Sequence, residues 1–176
     1  MLTDRNYFEL FGIPVSLAPD KDLVRRKYME LSRQHHPDYF VNSGAEEQQE
    51  ALENSALLNK AFRTLSNGDQ TIRYVLTLKG LLEEEEKYEL PPSFLMEMME
   101  VNEALAEAAM DEDPSQKIKI QQQLFQIEKE LYEPVQDIIE NYQEGVTSKE
   151  ALLQVKDYYF KKKYLVRLSE QLSRML

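Results

Sequence analysis

The sequence predicts an all-α protein in two parts, a helical hairpin flanked by short helices and then a three-helix bundle. Three observations carry this. Apolar residues recur at helical spacing in every long segment, and nowhere do they alternate with polar ones as in a half-buried strand. Seven prolines and five glycines in 176 polar-rich residues imply helices with few breaks. Charge divides the chain: residues 1–80 hold ten Lys and Arg against eleven Asp and Glu, whereas residues 81–176 hold eleven against twenty-one. That asymmetry argues for two halves with different partners.

Residues 4–11 form a short helix capped by Thr3 or Asp4, with Tyr7, Phe8, Leu10 and Phe11 as core and Gly12-Ile13-Pro14 as its end. Asp20 caps the next helix, where its charge suits the dipole. Val24, Tyr28, Leu31 and His35 fall on one face of it, and Arg25, Arg26 and Arg33 point to solvent. Pro37 stops it, because proline disfavours the α conformation of the residue before it. A second stripe, Ala51, Ser55, Leu58, Phe62 and Leu65, ends at Asn67-Gly68, two residues that tolerate the left-handed conformation. Two such stripes pack as an antiparallel hairpin, with His36-Pro37-Asp38 at its tip facing water. Asp69–Gly80 is a further short helix with Ile72, Val75, Leu76 and Leu78 apolar.

Residues 81–92 read as a linker, since Glu83–Glu86 repel one another and Pro91-Pro92 cannot continue a helix. The four glutamates are given no role beyond solvation. Residues 93–176 hold the bundle. Its first helix runs from the cap Ser93 to about Met110, and Asp111-Glu112-Asp113-Pro114 breaks it. The second runs from Ser115 to about Tyr142 with Leu124, Ile127, Leu131, Val135, Ile138 and Tyr142 in one stripe. Pro134 kinks or splits it, and Gly145 ends it. The third is capped by Thr147 or Ser148 and runs to the terminus through Leu152, Val155, Tyr158, Leu165, Leu168 and Leu172. Short connections make neighbouring helices antiparallel.

The first bundle helix is apolar on two sides. At about 100° per residue, Phe94, Met98, Val101 and Leu105 gather in one stripe, the expected core. Leu95, Met96, Met99, Glu100 and Glu103 gather opposite. Such a face packs on the first half, packs on another copy of the chain, or binds a partner. An apolar cluster with an acidic rim favours partner binding, and methionine adapts to a partner's shape.

Composition excludes several function classes. A net charge of −11 disfavours nucleic acid, which requires basic surface. No apolar run approaches the roughly 20 residues that span a bilayer, and no signal pattern opens the chain, so an intracellular, non-membrane protein is expected. Without cysteine there are no disulfides and no thiolate metal sites. The two histidines are adjacent, so their side chains diverge on a helix, and no third ligand stands at helical spacing. His35 is a packing residue. No nucleophile motif or Gly-rich phosphate loop occurs, so neither an enzyme nor a cofactor is expected.

The opening Tyr7-Phe8-Glu9-Leu10-Phe11-Gly12, Tyr28 with Leu31, the tripeptide at 36–38, and Asn59-Lys60-Ala61-Phe62 with Leu65 resemble a J-domain in order and spacing. An acidic three-helix bundle follows whose first helix opens with Phe94-Leu95-Met96-Glu97. Over the whole chain this is similar to the HscB type of J-protein co-chaperone of iron–sulphur cluster assembly, in its bacterial, cytoplasmic form without an N-terminal cysteine segment. The resemblance implies two partners, a DnaK- or HscA-like chaperone ATPase and an IscU-like scaffold protein. It implies that His36, Pro37 and Asp38 contact the chaperone, with Lys21, Arg25, Arg26, Arg33 and the bordering Lys27 steering it. It implies a scaffold-binding face of Leu95, Met96, Met99, Glu100 and Glu103, with Phe160 as its aromatic and Tyr159 as the alternative.

Overall fold

A computed structural model describes residues 4–110 and 114–175, and among these every regular element is helical. Thr3 and Asp111 to Asp113 lie outside the described residues. The chain divides into two compact units, one comprising the residues up to Lys79 with Tyr142–Val146, the other Gly80–Asn141 with the residues from Thr147 onward.

In the first unit, α1 (Tyr7–Phe11) is capped by Asn6 and not by Asp4. Asn6 accepts the Glu9 N–H at 2.9 Å and the Glu9 carboxylate accepts the Asn6 N–H at 3.0 Å, a reciprocal box that satisfies two otherwise unpaired donors. Gly12 closes α1 at φ +63°, a conformation in which a side chain would be strained. Tyr7 stacks on Tyr74 at 4.2 Å, and its N–H donates to the Tyr74 hydroxyl at 3.0 Å.

α2 (Lys21–Gln34) starts at Asp20, whose carboxylate accepts the N–H groups of Asp22 and Leu23. It ends one residue before His35, which is half-buried. α3 (Ala45–Ser66) packs along α2, and the J-like motif residues form the seam. The Tyr28 hydroxyl donates to Asn59 Oδ1 at 2.7 Å, and the Tyr28 ring stacks on Phe62 at 4.3 Å.

The buried stripe of α3 is Ala51, Asn54, Leu58, Ala61 and Leu65, with Ser55 and Phe62 only half-buried. The expected stripe is therefore rotated, because α3 packs on α4 (Gly68–Leu78) as well as on α2. Asn67-Gly68 also works otherwise than expected. Asn67 is extended at φ −111°, and its side chain accepts the Gln70 N–H, so it caps the start of α4. The buried Thr71 donates to the Thr64 and Asn67 carbonyls and ties the corner. Leu78, expected to be apolar surface of this helix, is exposed.

The second unit is built on α5 (Pro92–Met110), α6 (Pro114–Tyr132) and α8 (Lys149–Ser173), each packed on the other two. α5 starts at Pro92, so Ser93 lies inside it and does not cap it; proline fits a first turn, where no N–H is needed. Pro134 splits the second helix, as a missing N–H demands. A 3₁₀ turn at Glu133–Val135 follows α6, and then α7 (Gln136–Glu140). That helix ends at Glu140, well before Gly145, and Ile139 is buried in place of Ile138. Ser148 caps α8 by accepting the Ala151 N–H at 3.1 Å.

The bundle core is Phe94, Met98, Val101, Leu105 and Ala108 of α5, Ile120, Leu124 and Ile127 of α6, and Leu165, Leu168 and Leu172 of α8. Each large side chain removed from water here is worth about 1.5–3 kcal/mol.

Candidate functional site

The hairpin tip is a single 3₁₀ turn, Pro37–Phe40. His36 precedes it in an extended conformation, and its Nδ1 accepts the Asp38 N–H at 3.3 Å. That bond fixes the ring and turns Nε2 away from the backbone. Nδ1 also lies 3.5 Å from the Asp38 carboxylate. Both side chains are open to water, His36 by half and Asp38 by 84 %. Tyr39, 71 % exposed, meets His36 edge-on, and Val41 is exposed beside it. Pattern reasoning passed over these two, because an apolar residue in a loop has no period to mark it.

Lys21, Arg25, Arg26 and Arg33 are all exposed on α2. Arg25, Arg26 and Arg33 border an open groove of about 510 Å³ that also takes in Met29, Glu30 and Gln34. Met29 sits between Arg25 and Arg33 at spacing four and is half exposed, an apolar residue on this face that the helical projection alone would have found. Lys27 stands apart from this face. It is half-buried and lies 3.6 Å from Glu30.

The outer face of α5 is as apolar as its projection suggests. Leu95 is 38 % exposed, Met96 66 % and Met99 60 %, whereas Met98, one residue away, is fully buried. Glu100 and Glu103 are exposed beside them. α5 carries four glutamates and no basic residue, so the face is apolar inside an acidic field.

Phe160 lies on α8, one turn before Tyr164, which meets Phe94 of α5 edge-on at 6.1 Å. It is not a free aromatic. Tyr88 stacks flat on it, with centroids 4.4 Å apart and planes 3° from parallel, and Tyr159 meets it edge-on at 5.2 Å. The Tyr88 hydroxyl donates to Asp157 Oδ1 at 2.8 Å. Burial first, and then that bond, push the Tyr88 phenol up to about 12.

Glu86, given no role by the sequence, pairs with Lys156 at 2.5 Å, and this bond holds its carboxyl below the usual range. The stretch at 81–91 is thus fastened to α8 and is not merely solvated, and Leu82 within it is buried.

Comparison with known proteins agrees with this architecture. The family model described as the HSCB C-terminal oligomerisation domain matches residues 90–173. Proteins named co-chaperone HscB homologue are 33 % identical in Shewanella pealeana and 34 % in Shewanella halifaxensis, each alignment covering 97 % of this chain and 96 % of the relative. The structure of the chaperone HscB from Vibrio cholerae superposes with a TM-score of 0.77 at 26 % identity, covering 97 % of this chain and 96 % of that one. The crystal structure of human co-chaperone protein HscB gives 0.80 at 28 %, covering 96 % and 81 %. The names of these relatives are those of chaperones and co-chaperones and not of enzymes. With an all-α architecture, an exposed His-Pro-Asp turn and full-length relatives of one name, this chain belongs to the HscB family of J-protein co-chaperones.

Proposed function

We propose that the protein stimulates ATP hydrolysis by a DnaK- or HscA-like chaperone and delivers to it the IscU-like scaffold protein on which iron–sulphur clusters are assembled. On this reading residues 1–80 are the J-domain, 81–92 the connection and 93–176 the scaffold-binding bundle, and the work is done in the cytoplasm. One observation carries it: a single chain displays two surfaces of opposite chemistry, a cationic helix ending in an exposed His36-Pro37-Asp38 turn and an apolar, acid-edged face on α5.

The arginines of α2 draw in an acidic chaperone surface, since charge arranged on one face raises encounter rates. The turn then makes the short-range contacts that favour the hydrolysis-competent state. Leu95, Met96 and Met99 bury apolar area against the scaffold protein, with Glu100 and Glu103 facing its basic residues and Phe160 adding an aromatic contact.

The test is steady-state ATP turnover by the chaperone with the full chain, with and without the scaffold protein. Stimulation that rises further when scaffold is added supports the proposal. Stimulation that ignores the scaffold points to a different client, and no stimulation leaves a helical adaptor.

A second reading concerns self-association, which the description of the matching family model names. Phe125 and Ile118 lie seven residues apart on one face of α6, 70 % and 51 % exposed. Sedimentation of the protein and of a Phe125→Ser variant tests whether copies pair there; two monomers would dismiss it.

A further inference from the structure

We propose that Tyr88 is part of the scaffold-binding surface, and that it completes its aromatic portion by holding Phe160 in one orientation. This rests on the scaffold-binding reading of α5 and Phe160.

A phenylalanine on a helix surface has freedom about two bonds, and a partner that grips it must first freeze them. Here the freezing is done in advance. Tyr88 comes from a segment without regular structure and lays its ring flat on Phe160 at 4.4 Å. Three contacts keep it there. Its hydroxyl donates to Asp157 three residues before Phe160, the Lys156 ammonium lies 5.8 Å from its ring centre, and Glu86, two residues upstream, is bound to the same lysine. Asp157 is in turn 2.5 Å from Lys161 and so is fixed from its other side. The segment itself is pinned at both ends, by buried Leu82 and by Leu90 against the bundle core.

Tyr88 covers one face of Phe160 and Tyr159 meets the ring edge-on, so a partner meets a shelf of three rings, not one mobile side chain. On this inference Phe160 and Tyr159 both belong to the shelf. Stacked and edge-on aromatic contacts add stability beyond the area they bury.

The experiment is titration calorimetry of the full chain with the IscU-like scaffold protein. Tyr88→Ala is expected to bind about tenfold more weakly, while Tyr88→Phe, which keeps the ring and loses only the hydroxyl bond, stays within about twofold of the parent. If the alanine variant is not folded, as judged by circular dichroism, Tyr88→Leu takes its place with the same tenfold loss expected, because bulk without a flat ring does not orient Phe160.

The control is Leu95, Met96 and Met99 changed together to alanine. Parent-like or tighter binding by Tyr88→Ala, or by Tyr88→Leu where it takes its place, with the control weakened, overturns the role of Tyr88 alone. Parent-like binding by the control overturns the scaffold face itself, and this inference with it.

Discussion

Two helices of this protein each keep one face for water, and they do so by opposite means. α2 buries Val24, packs Tyr28 against Asn59 and Phe62 of α3, and turns out a face of cations around Met29. α5 buries Phe94, Met98, Val101 and Leu105 and turns out Leu95, Met96 and Met99 inside an acidic rim. The cationic face violates no folding rule, because solvated charge is what an amphipathic helix is expected to show. The apolar face does violate one. It leaves area in water that a bundle helix would ordinarily have made polar, and so it points to a partner more strongly than the arginines do. Charge acts at long range and sets encounter; apolar area acts only in contact and sets residence.

The largest effects separate the two faces. His36→Gln is expected to abolish stimulation of chaperone ATP turnover while scaffold affinity stays at the parent value. Changing Leu95, Met96 and Met99 together to alanine is expected to do the reverse, lowering scaffold affinity about 100-fold, roughly 2.7 kcal/mol, with stimulation in the absence of scaffold unchanged. If either variant lost both activities, the division of labour between α2 and α5 would be wrong.

Within α5 the comparison sharpens to neighbouring residues of one type. Met98→Ala removes a side chain with no exposure and should destabilise the bundle by about 2–3 kcal/mol in urea unfolding. Met99→Ala, at 60 % exposure, should change stability by about 0.5 kcal/mol or less. Equal losses at the two positions would mean that the outer face is part of a core after all.

How much of this was legible in the sequence follows from what each helix packs against. The stripe of α8 was readable residue for residue and that of α5 in all but Ala108, because both helices pack along their length on other long helices, and a straight 3.6-residue period survives there. In α3 the expected Ala51, Leu58 and Leu65 are buried, but Asn54 and Ala61 are buried where Ser55 and Phe62 were expected, because α3 packs on α4 as well as on α2; Phe62 stays half-buried, stacked on Tyr28 of α2.

The register after Pro134 slipped for a different reason. Pro134 breaks the helix into a 3₁₀ turn and the short α7, so a single 100° period does not carry across it, and Ile139 is buried in place of Ile138. The tip and the outer face of α5 were legible as motif and as misplaced apolar residues. Tyr88, Glu86 and Tyr39 were not, because they lie in segments without a period, and what gives them a place is tertiary contact alone.

Salt should distinguish the faces next. Arg25→Ala with Arg26→Ala is expected to slow association with the chaperone about three- to tenfold at low ionic strength, and the deficit should shrink at about 0.5 M salt, where charges more than a few ångströms apart are screened. Stopped-flow rates at two salt concentrations check this. A deficit that salt leaves untouched would assign the arginines to close contact instead of steering.

The smallest effect tests the anchoring of Tyr88 by pH. Its phenol is held up to about 12, whereas a tyrosine in an unfolded chain ionises near 10. The folded state thus keeps the proton longer than the unfolded one. The stability that neutral Tyr88 contributes is complete below pH 10 and is lost as pH rises toward 12, where the unfolded chain ionises first. Two units correspond to about 2.7 kcal/mol at most, and partial exposure of the ring brings the expected loss to about 1 kcal/mol or less. Tyr74, Tyr132 and Tyr142 are also shifted upward and add their own alkaline slope, but they do so equally in the parent and in Tyr88→Phe. The difference between the two proteins therefore isolates Tyr88. Urea unfolding should show the parent more stable at pH 8 and the gap narrowing at pH 11.5. A gap of constant width would mean that the hydroxyl is not held by Asp157 in solution, and the fixed ring over Phe160 would then have to depend on stacking alone.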